Sequence, residues 1–420
     1  MKGVEITVVD AMMGCGKTSA AINYMEDNCD TERFLYITPY LEESERIKNA
    51  CVKCRFQTPC ELGTKLKGIK ELLAHGANIA STHALFGILD EEALKLVRSK
   101  GYVLMMDEVY DVVGRYRISG QDIGFLMDYI RCDKYGFLHW NTPAGADDYT
   151  GELFRWLKRD IDCQTVIAGG VGEDEKPKAG EPFFKVVPVK SFSSFSKIFV
   201  LTYMFNGSIQ KAYFDYFGMA YRTMGIKQTP EGYFFSEEAG ASAPPVSDIK
   251  SLITLWDGGR AKDIGRKKGT LSYSWYLKRG ADHPDMIRLQ HSITNFYVNV
   301  AKTRSNRNLW TTFNSSRKKL TGGGYAKGFE AHNARATNKH RDRTAVVYAV
   351  NKYINPAVKS FFRIKGIELD ENRYALSSMV QFIWRSAIRD GKPITIYIPS
   401  QRMRSLLRKW IEEVSANAVN

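Results

Sequence analysis

A β-rich hexapeptide, Val4-Glu5-Ile6-Thr7-Val8-Val9, leads through Ala11-Met12-Met13-Gly14-Cys15-Gly16-Lys17-Thr18 into a helix-forming segment over residues 17–26. Strand, glycine loop and helix in that order constrain the fold more than any other feature of the chain. Glycines let successive backbone N–H groups converge on one anion at the positive end of the following helix. The spacing is that of a phosphate-binding loop with Ala11 in place of the usual first glycine. In such a loop Lys17 reaches the β- and γ-phosphates of a nucleotide and the Thr18 hydroxyl holds Mg²⁺. Gly14, Cys15, Gly16 and Ser19 complete the expected nucleotide contacts.

After the loop, strand-like and helix-like segments alternate. Residues 34–38, 79–81, 102–106 and 198–203 read as strands, and 43–49 and 91–99 as helices. Alternation of this kind predicts a parallel sheet covered by helices, an α/β fold. The Gly- and Pro-rich stretch 169–188 is expected to be an insertion or an exposed loop, with the insertion over about 130–190. Strands at 309–313, 345–350 and 394–398 and a helix over 377–389 predict a second α/β domain. The expected division is 1–205, a connecting segment 206–250, and 251–420.

A chain of 420 residues is too long for one compact core, and 44% hydrophobic with 25% charged residues excludes disorder and coiled coil. No apolar run approaches the roughly 20 residues that span a bilayer. The start of the chain shows no charged leader or apolar signal core, so a cytoplasmic location is expected, the host cytoplasm if a phage encodes it. Seven cysteines, an odd and low number, are expected to be reduced thiols. Cys51, Cys54 and Cys60 are three candidate zinc ligands at C-x2-C-x5-C spacing, one short of a structural set.

Charge is unevenly divided. Residues 1–206 carry 25 Lys and Arg against 29 Asp and Glu, whereas 207–420 carry 35 against 17. A half this basic points to a polyanion, with nucleic acid as the leading candidate, because each phosphate neutralised releases counterions. Tyr273, Trp275, Tyr276, Trp310 and Phe313 lie among the basic clusters and are candidate rings for stacking on unpaired bases.

Two further patterns carry chemistry. The apolar strand 102–106 ends in Asp107-Glu108, where Asp107 can bind Mg²⁺ and Glu108 can orient and deprotonate an attacking water. Gln381, Arg385 and Arg389, spaced i, i+4, i+8, are expected on one face of a helix. An arginine inserted from a second domain stabilises transition-state charge and makes hydrolysis depend on domain closure.

With these residues in place the chain resembles the superfamily 2 helicases. Asp107-Glu108-Val109-Tyr110 stands where that family has its D-E-x-x box, and Gln381–Arg389 resembles its motif VI, with Trp384 in place of the family glycine. Tyr36-Ile37-Thr38-Pro39, Ser81-Thr82-His83-Ala84, Leu201-Thr202-Tyr203 and Asn333–Asn338 follow in the order of motif Ia, the next Thr-containing motif, motif III and motif V. The resemblance implies two RecA-like domains in tandem, ATP and Mg²⁺ as cofactors, and a nucleic-acid track, single-stranded or forked DNA, touching Thr38, Pro39, Thr82, His83, Arg335 and Thr337. Ala11–Ala21 and Gln381–Leu407 are most similar to small helicases of bacteriophage replication modules, which implies phage replication proteins as partners. Two other readings remain: a phage DNA-packaging ATPase, which shares the loop and the Asp-Glu pair, and a nucleic-acid-binding module in which the loop only binds nucleotide, against which Glu108 argues.

Overall fold

The computed structural model describes residues 4–59, 64–116, 118, 127, 129–140, 152–178, 180–238, 248–258, 262–333 and 339–417. Two parallel sheets follow one another along the chain. The first begins with β1 (Glu5–Asp10), β2 (Arg33–Thr38), β3 (Ile79–Thr82) and β4 (Tyr102–Asp107). All six residues of β4 are buried, as expected of a strand covered on both faces. Between β4 and the return to this sheet lie β5 (Val113–Arg115), β6 (Ile130–Cys132), β7 (Leu138–Trp140), β8 (Val166–Ala168) and β9 (Phe183–Val186). The first sheet then resumes with β10 (Lys197–Thr202), β11 (Tyr221–Thr229) and β12 (Gly232–Ser236). Its strand order is β12-β11-β1-β10-β4-β2-β3, parallel except for the β11–β12 hairpin.

The second sheet is parallel throughout, in the order β13 (Ile253–Trp256), β16 (Ile394–Tyr397), β15 (Ala345–Tyr348), β14 (Asn308–Thr311). Among the described residues no helix is long and apolar enough to cross a membrane. One apolar cluster joins the two sheets: Val9, Met12 and Leu201 share it with Val346, Ile383, Trp384 and Trp410. The sheets therefore meet through packed side chains.

Three expectations change. The stretch 169–188 is not wholly an exposed loop, because β9 pairs with β5 and β8, and Phe183 packs with Ile130, Leu138, Leu157 and Val166 in a small core of the insertion's own. The segment 206–250 does more than connect. It contributes helix Ile209–Tyr216 and the two strands β11 and β12, with Ile226 buried in the shared core. Finally, the helix expected over 377–389 runs from Glu371 to Ile383 and stops. There Ile383 O accepts from the Ser386 N–H at 3.0 Å and from its hydroxyl at 2.7 Å, while the Ala387 N–H turns away to Arg343 O, so the next helical bond is not made. Trp384 turns into the core, and residues 387–390 form a separate 3₁₀ turn.

Tyr203, directly after β10, accepts a hydrogen bond through its hydroxyl from Trp410 Nε1 at 2.8 Å. Trp410 is 2% exposed, so Tyr203→Phe leaves a buried donor without its acceptor. The expected cost is about 1–3 kcal/mol of unfolding free energy, read from the urea midpoint at unchanged m-value.

Candidate nucleotide site between the two sheets

Register brings the chemistry to one edge. Asp10 pairs with Thr202 across β1 and β10, and Leu201 with Asp107 across β10 and β4, so all three strands end at the same level. From β1 the chain enters the glycine loop, where Gly14 and Gly16 have φ of +87° and +81°. Those left-handed conformations favour glycine, and at Gly16 a β-carbon would also collide with the Tyr233 ring of the β11–β12 hairpin. Helix Lys17–Asn28 follows directly, with Thr18 partly buried and Ser19 exposed. Lys17 Nζ donates to Ala11 O at 2.6 Å and Met12 O at 3.0 Å. Burial lowers the Lys17 pKa, opposed first by the Glu108 charge and then by Cys15, Asp107 and Asp10.

Asp107 lies at the tip of β4, buried. Loss of hydration, with Glu108 and Glu43 nearby, pushes its carboxyl up to about 7 despite Lys17 and Arg46. Glu108 takes the left-handed conformation at φ +69°, rare for a residue with a side chain, while its N–H donates to Leu201 O at 2.8 Å. Its Oε2 accepts from Thr202 Oγ1 at 3.3 Å and from Gln381 Nε2 at 3.4 Å. Three segments far apart in sequence thus meet on one carboxylate: the Asp-Glu box, the end of β10, and a helix of the second sheet.

Arg385 and Arg389 do not share a helix face, contrary to expectation, because the helix ends before either of them. Arg385 is buried, donates through Nη1 to Ala331 O at 3.2 Å, and has its pKa lowered to about 10 by burial, against the Glu330, Tyr40 and Glu108 charges. Arg389 keeps an exposed side chain, but the part of it that packs against the protein loses hydration and this lowers its pKa, with Arg341 and then Arg46 adding to that. Arg385 is therefore the arginine that feels Glu108, whereas Arg389 feels Arg46 and Glu43 on helix Leu41–Ala50.

The sequence did not single out Asp10. Its two carboxylate oxygens accept from Met204 N at 2.7 Å and Phe205 N at 3.0 Å, so the residue before the loop clamps the turn after β10. Burial raises the Asp10 pKa, with those two bonds pulling the other way.

The expected nucleic-acid residues fare unevenly. Thr38 is fully buried, since β2 lies between β4 and β3, and its hydroxyl does not reach the surface. Pro39, Thr82 and His83 are partly buried, with the His83 ring 5.4 Å from Tyr110. Arg335 and Thr337 lie outside the described residues, as does Cys60. Among the described residues no group of three His, Cys, Asp or Glu side chains is arranged to hold a metal, and Cys51 and Cys54 are buried free thiols.

The chain is 36% identical over 420 residues to the SPbeta prophage-derived uncharacterized protein YonV of Bacillus subtilis strain 168, covering 97% of this chain and 99% of that protein. This chain belongs to the YonV family. Residues 247–411 match the YonV C-terminal Rossmann-like domain, which takes in all four strands of the second sheet. Among solved structures the chain is similar to an apo form of XPD, at TM-score 0.49 and 11% identity over 98% of this chain and 95% of that one. It is also similar to Xpd4 of S. tokodaii, at 0.46 and 11% over 97% and 94%.

A carboxyl raised from its ordinary 3.8 to about 7 has a definite sign in stability. The contribution of neutral Asp107 is full below the ordinary value and is lost as pH rises to about 7. In chelator-treated protein, Asp107→Asn is expected to raise the melting temperature at pH 8 and to raise it clearly less at pH 5, part-way through that window. Melting curves at the two pH values check this.

Proposed function

We propose that this YonV-family protein is an ATP-driven motor on nucleic acid, a helicase or translocase of the superfamily 2 type. The observation that carries the reading is the Glu108 carboxylate, held by Thr202 from one sheet's edge and by Gln381 from the other half. A water-activating carboxylate positioned by both halves of a chain ties hydrolysis to their relative placement. In this reading Lys17 and the loop residues Gly14, Cys15, Gly16, Thr18 and Ser19 take the phosphates of ATP, Glu108 deprotonates the attacking water, and Arg385 supplies the positive charge from the second half. Arg389 serves the same site from further out.

Thr18 and Asp107 are the residues that would hold Mg²⁺. Oxygen donors suit a hard divalent cation, and a buried carboxyl pushed up to about 7 is one whose ionised form a cation favours. When bound, the ion draws electron density from the γ-phosphate. The basic residues of 207–420 take the nucleic-acid track, single-stranded or forked DNA, and the kinship with a prophage-derived protein supports a role in phage DNA replication or recombination. The division into domains 1–205 and 251–420 is part of the same proposal, with β11 and β12 counted to the first.

ATP hydrolysis measured with and without single-stranded DNA, duplex DNA and single-stranded RNA tests the reading. One polymer is expected to stimulate hydrolysis strongly, and Lys17→Ala to abolish it. Glu108→Gln is expected to lower kcat by about 10²–10⁴ with nucleotide binding retained. Hydrolysis indifferent to every polymer, or full activity in Glu108→Gln, rejects the proposal.

A further inference from the structure

The cleft between the halves contains a cavity of about 270 Å³ that the phosphate loop does not line. Glu108 and Asp111 form one wall, Tyr374, Ser377 and Gln381 of helix Glu371–Ile383 another, and His332 closes the side of the second sheet. His332 is nearly uncharged at neutral pH, because burial, and then Lys352, lower its pKa to about 3. Its Nδ1 is buried and has no hydrogen-bond partner among the described residues.

His332 is also the inner end of a series of rings. Phe313 stands edge-on to it at 5.0 Å, and Tyr273 edge-on to Phe313 at 5.5 Å. Tyr273 is 52% exposed, whereas Trp275, Tyr276 and Trp310 are core residues and Phe313 is partly buried, so of the five rings among the basic clusters this is the most open to solvent. Exposed Lys267 and Lys268 precede it, and exposed Arg317 and Lys318 follow Phe313. Rings that lead inward from a basic surface fit unpaired bases, whose faces stack on aromatic side chains while cations follow the backbone. A bare phosphate is met at the inner end by one cation, Lys352, against the two carboxylates Glu108 and Asp111, and by an imidazole that carries no charge.

We propose that Tyr273, Phe313 and His332 form a stacking path for the bases of a single strand, and that the interdomain cavity receives one nucleobase beside His332. This deepens the motor reading and rests on it. Base occupancy beside Glu108 and Gln381 would place the track next to the residues that carry hydrolysis.

The test uses the full chain and fluorescence anisotropy of single-stranded DNA, either intact or carrying abasic sites. Tyr273→Ala is expected to weaken binding of the intact strand about tenfold at every salt concentration, with the slope of log Kd against log salt unchanged because no phosphate contact is lost. Tyr273→Trp is expected to bind like the parent protein. Abasic strands are expected to bind the parent about as weakly as the intact strand binds Tyr273→Ala, and to be indifferent to that substitution. Tyr273 is exposed, so the variant keeps its fold, and its ATPase without nucleic acid is the control. Intact-strand affinity unchanged in Tyr273→Ala, or a change in the salt slope, overturns the stacking path while leaving the motor reading standing. A parent protein that binds no single strand rejects the motor reading and this inference together.

Discussion

The Glu108 carboxylate is the point on which the two halves of this chain depend. It follows a buried strand, at a backbone conformation that a residue with a side chain rarely adopts, and its N–H is fixed by Leu201 O. The conformation costs on the order of 1–3 kcal/mol and persists because neighbouring groups hold it. What it achieves is placement: one carboxylate oxygen faces Thr202 and Gln381 together. Around it the same logic recurs. Asp10 ties the start of the loop to the turn after β10, and Tyr203 ties that turn to Ser377 and Trp410 of the second half. A displacement at the loop is thus connected through hydrogen bonds to the helix that carries Gln381.

Electrostatics at this junction are arranged by burial as much as by pairing. Lys17, Asp107, Glu108 and Arg385 interact in surroundings that disfavour charge, so the lysine and arginine pKa values fall and the aspartate rises. These directions are the ones expected where an opposite charge brought into the cleft would be favoured. In the proposed motor, these two cationic side chains and the raised carboxyl are the groups that would meet the phosphates of a nucleotide and a divalent cation.

Much of this was legible in the sequence, for reasons that differ by element. The strands that became β1, β2, β4, β10 and β16 are short apolar runs buried on both faces, and the glycine loop is recognisable because a phosphate-binding loop needs particular residues at fixed spacing. Glu108 and Gln381 were found through chemistry and resemblance. The end of the helix at Ile383 was hidden, since local spacing continues through Arg389 and only the burial of Trp384 and the Ser386 bond stop it. The hairpin β11–β12 was missed because its residues are half exposed and mixed, and it gains its place by pairing with β1 and packing on the loop helix. Asp10 gave no signal, for a single aspartate at a strand end is ordinary until the turn it clamps is known. The burial of Thr38 likewise follows from strand order, which the sequence does not display.

The claim that hydrolysis depends on both halves meeting at Glu108 is tested most directly by a double-mutant cycle. Nucleic-acid-stimulated kcat is measured for the parent chain, Glu108→Gln, Gln381→Ala and the double variant. If Gln381 acts by positioning the Glu108 carboxylate, its loss costs activity in the parent and almost nothing once Glu108 is already changed, so the two effects fall well short of adding. Losses that add in full would show that Gln381 and Glu108 act independently and would contradict the account.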